Sequence, residues 1–329
     1  MHSKLSRRAF VASTAAAALL PATGVRAAAW PERTITLVHG FGVGGNADVI
    51  SRIVAERLSA KLGQPVVVEP RTGAGGRIAA AHAAKAAPDG YTIAVLPGGH
   101  AIAPAMYEGL PYDTVNDFTF ISLLTDFPFI LVTHQNHPVK SVKQLIDAAK
   151  GAEKPMIYGS AGNGTGQHLS GALFTKMAGI NLQHLPFRGG QLGSTELLGG
   201  HIDFLFETPT LLLELVKAGQ LRALAVTGKS RFFALPDVPT IGETVAGYET
   251  SSWLGLAAPP KLPAEIASRL NAEIQKIFAE KDLVEKVQTL GNVPSPTTPE
   301  AFKERVASDV SKWTKVAADV GLKRVGVAQ

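Results

Sequence analysis

The stretch "TITLVHGFGVGGNADVI" (residues 34–50) joins an apolar strand pattern to a helix pattern through a glycine-rich loop. The helix pattern runs over residues 46–62 and places its apolar side chains on one face. Two further strand patterns, "PVVVE" (65–69) and "YTIAVL" (91–96), follow with a second helix pattern between them. Strands joined by helices in this way predict a β-α-β-α-β unit with a parallel sheet.

The same alternation begins again at "FILVTH" (129–134) and continues to "LRALAVTG" (221–228), which predicts a second α/β unit. Beyond "SSWLGLAAP" the pattern is helical over residues 263–279, 282–289 and 299–319. Three helices without strands cannot build another unit of this kind, so we expect them to return and cover the first one.

The sequence therefore predicts an α/β fold of two doubly wound lobes joined by a hinge, with a cleft between the lobes. We assign residues 30–127 and 250–329 to lobe 1, and residues 128–249 to lobe 2. The chain would cross between the lobes near residues 126–130 and 247–252. A cleft between two such lobes is a natural site for a small molecule.

An export signal is predicted for residues 1–29. A pair of arginines precedes an apolar, alanine-rich run that ends before Pro21, and small residues follow. This order is typical of a twin-arginine type of signal peptide, with cleavage expected between Ala27 and Ala29. The apolar run is too short to span the roughly 30 Å of a bilayer core. We therefore expect a periplasmic protein.

Charge and cysteine content exclude several functions. Residues 1–29 hold four of the 32 basic residues and none of the 27 acidic ones, so the rest of the chain has a formal charge of +1. Nucleic-acid binding needs a basic stripe, which this balance does not favour. The sequence has no cysteine, which excludes disulfides, thiolate nucleophiles and cysteine-ligated metals. His134 and His137 lack a third ligand, and we expect no metal site.

The first glycine-rich loop allows a nucleotide-binding interpretation. Gly40, Gly42 and Gly45 fit the G-x-G-x-x-G spacing in a strand–loop–helix context. Glu69 ends the next strand, where dinucleotide-binding proteins carry an acidic residue, although it comes later than usual. The spacing is short and common, and no acid or base suited to hydride transfer stands out. An exported NAD(P)-dependent oxidoreductase is therefore the alternative interpretation.

Two loops of the same style, "SAGNGTGQH" (160–168) and "FRGGQLG" (187–193), follow strands of lobe 2. Glycines let backbone N–H groups approach a ligand, and the start of a helix favours an anion. We expect helix starts from both lobes to converge on the cleft and to bind an anion without a cofactor or a catalytic group. Arg188 would add a planar fork that suits a carboxylate. A hydrolase is not expected, because Tyr158 breaks the G-x-S-x-G pattern around Ser160.

These loops, with "AAPDGYTI" (86–93), "ELLGGHIDFLFET" (196–208), "LPDVPTIGE" (235–243) and "WLGLAAP" (253–259), resemble the substrate receptors of tripartite tricarboxylate transporters, the Bug-type proteins. The match runs in order through essentially the whole chain after residue 29. The resemblance implies a type-II periplasmic binding-protein fold that closes on a small carboxylate and is not an enzyme. It also implies transient contact with membrane transporter subunits, and we expect a monomer. A receptor that serves a membrane sensor remains a second alternative.

The resemblance assigns ligand-binding roles to loop residues of both lobes. They are Phe41, Gly44, Gly45, Asn46, Asp48 and His100 in lobe 1, and Ser160, Ala161, Gly162, Asn163, Thr165, Arg188, Gly189, Gly190 and Glu207 in lobe 2. The chain departs from the family pattern at Gly40 and Val43, where proline is usual, and at Glu207-Thr208, where Asp-Asn is frequent. We expect these departures to alter the shape of the pocket and the choice of ligand.

Overall fold

The computed structural model describes residues 30–327, so the predicted export signal at residues 1–29 lies outside the described residues. The first strands of the first sheet are β1 (Ile35–His39), β2 (Val66–Pro70), β3 (Thr92–Pro97) and β5 (Thr119–Phe127). The elements between them are α1 (Asn46–Leu62), α2 (Arg77–Lys85), α3 (Gly99–Met106) and the short β4 (Tyr107–Glu108).

The second sheet and the return to the first follow in chain order. The elements are β6 (Ile130–His134), α4 (Val142–Gly151), β7 (Met156–Ser160), α5 (Gly166–Ala178), β8 (Leu182–Pro186), α6 (Gly190–Leu198), β9 (Phe204–Glu207), α7 (Pro209–Lys217), β10 (Leu221–Val226), β11 (Ser252–Ala258), α8 (Ala264–Ile277), α9 (Lys281–Thr289), β12 (Val293–Pro294), α10 (Pro299–Asp319) and β13 (Val325–Gly326).

Two mixed sheets define the two lobes. The first has the order β12-β5-β11-β3-β1-β2, and the second has the order β10-β6-β9-β7-β8. The predicted parallel unit is present, since β1 pairs in parallel with β2 and β3. The two sheets also contain antiparallel strands, because β11 pairs antiparallel with β3 and β5, and β6 does so with β9 and β10.

The chain passes from the first sheet to the second between Phe127 and Ile130, and it returns between Val226 and Ser252. The lobe boundaries assigned from the sequence remain a prediction. The three C-terminal helices pack against elements of the first sheet: α8 and α10 contact β5, α9 contacts β12, and α10 also packs along α3. Within residues 30–327, no helix is both long and apolar enough to cross a bilayer.

Apolar side chains pack against both faces of each sheet. In the first lobe, Ile50 and Leu270 belong to the apolar cluster on one face, while Phe302 belongs to the cluster on the other. In the second lobe, Phe174 and Leu212 occupy the clusters on opposite faces. The loops that follow β1 in the first sheet and β7 and β9 in the second contribute residues to the cleft between the lobes.

Candidate functional site

A cleft lies between the loop ends of the two lobes. It encloses about 690 Å³ of space, which includes space open to solvent at its mouth. Its walls come from the starts of α1, α5 and α6 and from strand ends near the two connections between the lobes.

The first lobe contributes the glycine loop and the first turn of α1. Phe41, Gly45, Asn46 and Ala47 line the cleft. No side chain of residues 30–327 caps this 17-residue helix. The first backbone N–H groups of a helix have no partner within it, and the helix dipole places a partial positive charge there. The start of α1 is therefore a favourable place for an anion.

The glycine loop is held from behind by Asp48, which does not line the cleft. Its carboxylate accepts a hydrogen bond from the Gly44 backbone N–H at 2.9 Å and forms an ion pair with Arg52 at 2.9 Å. Burial alone would raise the pKa of Asp48, but the hydrogen bonds from Arg52 and Gly44 outweigh it and lower the pKa. Asp48 is therefore a buried anion that shapes the loop. The resemblance implied a contact with the ligand, but Asp48 does not line the cleft.

His39 completes this support. Its Nε2 lies 3.1 Å from Asp48 Oδ1, and its Nδ1 accepts from the Phe41 backbone N–H at 3.4 Å. Burial lowers the pKa of His39 against the opposing effect of Asp48. The neutral ring therefore donates from Nε2 to Asp48 and accepts at Nδ1 from Phe41. These two hydrogen bonds connect the beginning of the glycine loop to the first turn of α1.

Gly40 shows what the first glycine of the nucleotide-like spacing does. A Cβ at this position would lie 2.3 Å from the Cα of Gly76, a backbone atom that cannot yield cheaply. Gly40 is thus required for close packing of two loops within the first lobe. Glu69, the acidic residue of the nucleotide interpretation, instead forms an ion pair with Arg71 at 2.7 Å.

The second lobe contributes the starts of α5 and α6. Ala161, Thr165, Arg188, Gly189 and Gly190 line the cleft. The nine-residue α6 has no side-chain cap among the described residues, so its start resembles that of α1. The structure therefore brings two uncapped helix starts, one from each lobe, to the same cleft. Arg188 lies beside them, and its guanidinium makes no ion pair with the other residues of 30–327.

Other residues of the loop after β7 do not reach the cleft wall. Ser160 is buried, and its Oγ lies 2.7 Å from His184 Nε2. Gly162 has a φ of 131°, which favours glycine, and its N–H donates to Ser160 Oγ at 3.2 Å. The Asn163 carbonyl accepts from the Tyr107 hydroxyl at 3.0 Å, which joins the second lobe to the first. These residues hold the loop that carries Ala161 and Thr165.

His100 also lies away from the main cleft. Its Nε2 is 2.9 Å from the Thr114 carbonyl, and its ring stacks on Tyr112 at a centroid distance of 5.7 Å. Burial lowers the pKa of His100 to about 4, so the ring is neutral at physiological pH. His100 is a core residue that lines a second, smaller cavity behind Pro97. Gly44, which also fails to line the main cleft, lies at its rim, where a Cβ would meet Gln191 of the other lobe.

Glu207 is the acidic residue of the cleft wall. It is 2% exposed, and its Oε1 accepts hydrogen bonds from the Thr208 N–H at 2.6 Å and from Gln167 Nε2 at 3.1 Å. Burial raises the pKa of Glu207, and these hydrogen bonds oppose the shift only in part.

Thr208 lies in the cleft wall beside Glu207, at the departure from the family pattern. The sequence did not indicate several further residues of the cleft wall. They include Gln167, Gln191, Leu211, Phe129, Leu254 and Ser252. Gln167 and Gln191 lie in the first turns of α5 and α6, so their position after a glycine loop was a usable signal. Phe129 and Leu254 belong to strand regions, and their exposure to the cleft follows from how the two sheets face each other.

Comparison with solved structures places the fold in a known class. R. palustris Rpa4515, solved with adipate, matches with a TM-score of 0.87 and 33% identity, covering 90% of this chain and 100% of that chain. The periplasmic binding protein BugD matches with a TM-score of 0.85 and 30% identity, covering 90% of this chain and 100% of that chain. The chain therefore has the two-lobed fold of the periplasmic binding proteins.

Sequence comparison defines the family. Residues 50–322 match the tripartite tricarboxylate transporter family receptor. The UPF0065 protein of the tcbD–tcbE intergenic region of Pseudomonas sp. strain P51 is 35% identical over 321 residues, which is 97% of this chain and 96% of that protein. This chain belongs to the tripartite tricarboxylate transporter receptor family. The resemblance carried by the loop motifs is thus confirmed. The oxidoreductase alternative is wrong, because this is a family of solute receptors and not of enzymes.

Proposed function

We propose that this protein captures a small organic carboxylate in the periplasm and delivers it to the membrane subunits of a tripartite tricarboxylate-type transporter. Residues 1–29 serve as a cleaved twin-arginine type of export signal, and the exported protein acts as a monomer without a cofactor. The ligand occupies the cleft between the lobes, and it leaves chemically unchanged.

One observation carries this proposal: uncapped helix starts from both lobes, together with Arg188, line a single cleft. Each hydrogen bond to a charged group contributes about 1.5–3 kcal/mol. Four such bonds supply roughly the 8 kcal/mol of a micromolar site, before the cost of ordering the ligand. The family membership and the adipate complex of Rpa4515 support an anion of this kind.

Closure of the lobes supplies the mechanism of capture. The helix starts of α1 and α6 belong to different lobes, so a carboxylate held by both stabilises the closed arrangement over the open one. Contacts such as that of Tyr107 with Asn163 show where the two lobes meet. The ligand shifts the equilibrium only by its difference in affinity for the two arrangements.

Calorimetric titration with mono-, di- and tricarboxylates tests the proposal. We expect at least one to bind, and Arg188→Gln to weaken it by about tenfold or more, whereas Arg188→Lys retains part of the affinity. Arg33→Gln is the matched control, because Arg33 lies outside the cleft in an exposed pair with Asp89. Equal loss in both glutamine variants, or no binding by any carboxylate, contradicts the proposal.

The partner is tested separately. Uptake of the bound ligand by membrane vesicles that contain the transporter subunits should require this protein. If uptake is unaffected by its removal, while a membrane sensor binds the loaded form, the receptor serves a sensor instead.

A further inference from the structure

Two glutamines occupy the same position at two helix starts of the second lobe. Gln167 is the second residue of α5, Gln191 is the second residue of α6, and both line the cleft. Gln167 is buried and donates from Nε2 to Glu207 Oε1 at 3.1 Å. Gln191 is exposed; its backbone carbonyl accepts from Thr195, but its side-chain amide forms no hydrogen bond with the described part of the chain. The amide of Gln191 is therefore available to a ligand, whereas that of Gln167 is not.

The amide of Gln191 lies against the opposite lobe. A Cβ at Gly44, in the glycine loop before α1, would be 2.5 Å from Gln191 Nε2. Gly44 has a φ of 80°, and its N–H donates to the Asp48 carboxylate at 2.9 Å, so the backbone on this side is held in place. Because the two residues belong to different lobes, opening of the cleft separates them. Gln191 therefore spans the rim of the cleft in the closed arrangement.

The same approach brings two helix starts together. Gly44 lies two residues before Asn46, where α1 begins, and Gln191 directly follows Gly190, where α6 begins. Neither helix start has a side-chain cap among the described residues. A carboxylate held by these backbone N–H groups thus lies within reach of Gln191 Nε2. An ionised acceptor makes such a hydrogen bond stronger than one between neutral groups.

Closure limits where the side chain of Gln191 can lie. An exposed glutamine rotates freely in water, and holding it in one conformation costs entropy. When the lobes are closed, Gly44 confines the amide beside the two helix starts, so a hydrogen bond to a bound carboxylate costs less to form. This contact then favours the closed arrangement over the open one, and release of the ligand has to break it.

We propose that Gln191 covers the bound carboxylate: its Nε2 donates a hydrogen bond to the ligand in the closed arrangement and slows its release. This inference rests on the proposed function, since it assigns a further binding residue to the same cleft.

Calorimetric titration and stopped-flow kinetics with adipate test this role, and hexanoate, malate and citrate serve as further probes. For the probe that the unaltered protein binds most tightly, Gln191→Ala should weaken the affinity by about tenfold, which is the loss of one hydrogen bond to a charged group. We expect the dissociation rate to rise by about tenfold and the association rate to change by about threefold or less. Gln191→Glu replaces the donor by an ionised acceptor of the same size, and it should weaken binding further.

Matched variants and the stability of the fold are the controls. Gln183→Ala and Gln183→Glu make the same changes at an exposed position of β8 that does not line the cleft, and both should leave the affinity unchanged. Without a ligand, Gln191→Ala should melt at nearly the same temperature as the unaltered protein, because an exposed side chain without hydrogen bonds contributes little to stability.

An affinity of Gln191→Ala within about threefold of that of the unaltered protein overturns the inference, because a hydrogen bond to a charged group is worth more. A loss that comes from slower association, or one accompanied by a lower melting temperature, also overturns it, while carboxylate binding stands. If the unaltered protein binds neither these four probes nor any other mono-, di- or tricarboxylate, the proposed function fails and this inference fails with it.

Discussion

Thr210 Oγ1 donates a hydrogen bond to the side-chain oxygen of Asn46 at 2.7 Å, although the two residues belong to different lobes. The same oxygen of Asn46 accepts from Asn292 Nδ2 at 3.0 Å, and Asn292 is completely buried. Asn46 therefore uses its side chain to tie α1 to α7. Asn46 also lines the cleft, and because its side chain is already hydrogen-bonded, we expect the backbone at the start of α1 to contact a ligand.

Replacement of Thr210 by valine should destabilise the protein by about 1–3 kcal/mol, because it removes the hydroxyl that donates to Asn46 Oδ1 and accepts from Asn292 Nδ2. Thr210→Ser keeps the hydroxyl and should cost less. Urea unfolding of the two variants measures the difference. Equal stability of Thr210→Val and the unaltered protein would show that the contact between the lobes contributes nothing.

Asp48 should stabilise the folded protein in a pH-dependent manner. Its pKa is lowered in the folded state, so the stabilisation is present above its unfolded pKa of about 3.9 and is lost as the pH falls through the folded value. We expect Asp48→Asn to cost about 1.5–3 kcal/mol at about pH 7 and progressively less as the pH falls below about 3.9. Asp89→Asn, at an exposed ion pair, is the control and should show little change. A cost that does not depend on pH would contradict the role of the charge.

Glu207 should have the opposite pH dependence. Burial raises its pKa, so the folded protein holds the proton more tightly than the unfolded chain does. Stability then falls as the pH rises above the unfolded pKa of about 4.3. Glu207→Gln lacks this loss, and its melting temperature relative to the unaltered protein should therefore increase between about pH 4 and about pH 8. A constant difference across this range would show that the carboxyl is not perturbed.

Gly190 should be needed because of Glu207. A Cβ at position 190 would lie 2.0 Å from Glu207 Oε2, so Gly190→Ala should destabilise the protein by about 1–3 kcal/mol. Truncation in Glu207→Ala removes the clash, and the double variant should be more stable than the sum of the single effects predicts. Gly151→Ala, where the added Cβ meets no atom within 4 Å, is the control. If the effects of the two substitutions on the free energy of unfolding simply add, the cost of Gly190→Ala does not come from Glu207.

Much of the fold could be predicted from local patterns. Helix α10 begins and ends where expected, at Pro299 and Asp319, and Ser141 caps α4 by accepting from the Gln144 N–H. Strands β5 and β11 were not predicted, since their apolar runs show no alternation when both faces of a strand are buried. Helix α3 was also missed, because it carries an internal Pro104 and almost no polar face.

The candidate site could be predicted in its loops but not in the direction of its side chains. Gly45, Arg188 and Glu207 lie in the cleft wall, and their roles in binding a ligand stay a prediction. Asp48 turns away from the cleft towards His39 and Arg52, and His100 turns towards the Thr114 carbonyl. Tertiary packing determines those partners, and it cannot be predicted from the spacing of residues in a loop.

A crystal structure of the protein with the carboxylate that binds it most tightly tests the central claim directly. The account predicts that the carboxylate lies between the lobes, with its oxygens about 2.7–3.2 Å from backbone N–H groups at the starts of α1 or α6 and from the Arg188 guanidinium. A ligand bound outside this cleft, or one within it that makes no contact with either helix start, would contradict the account.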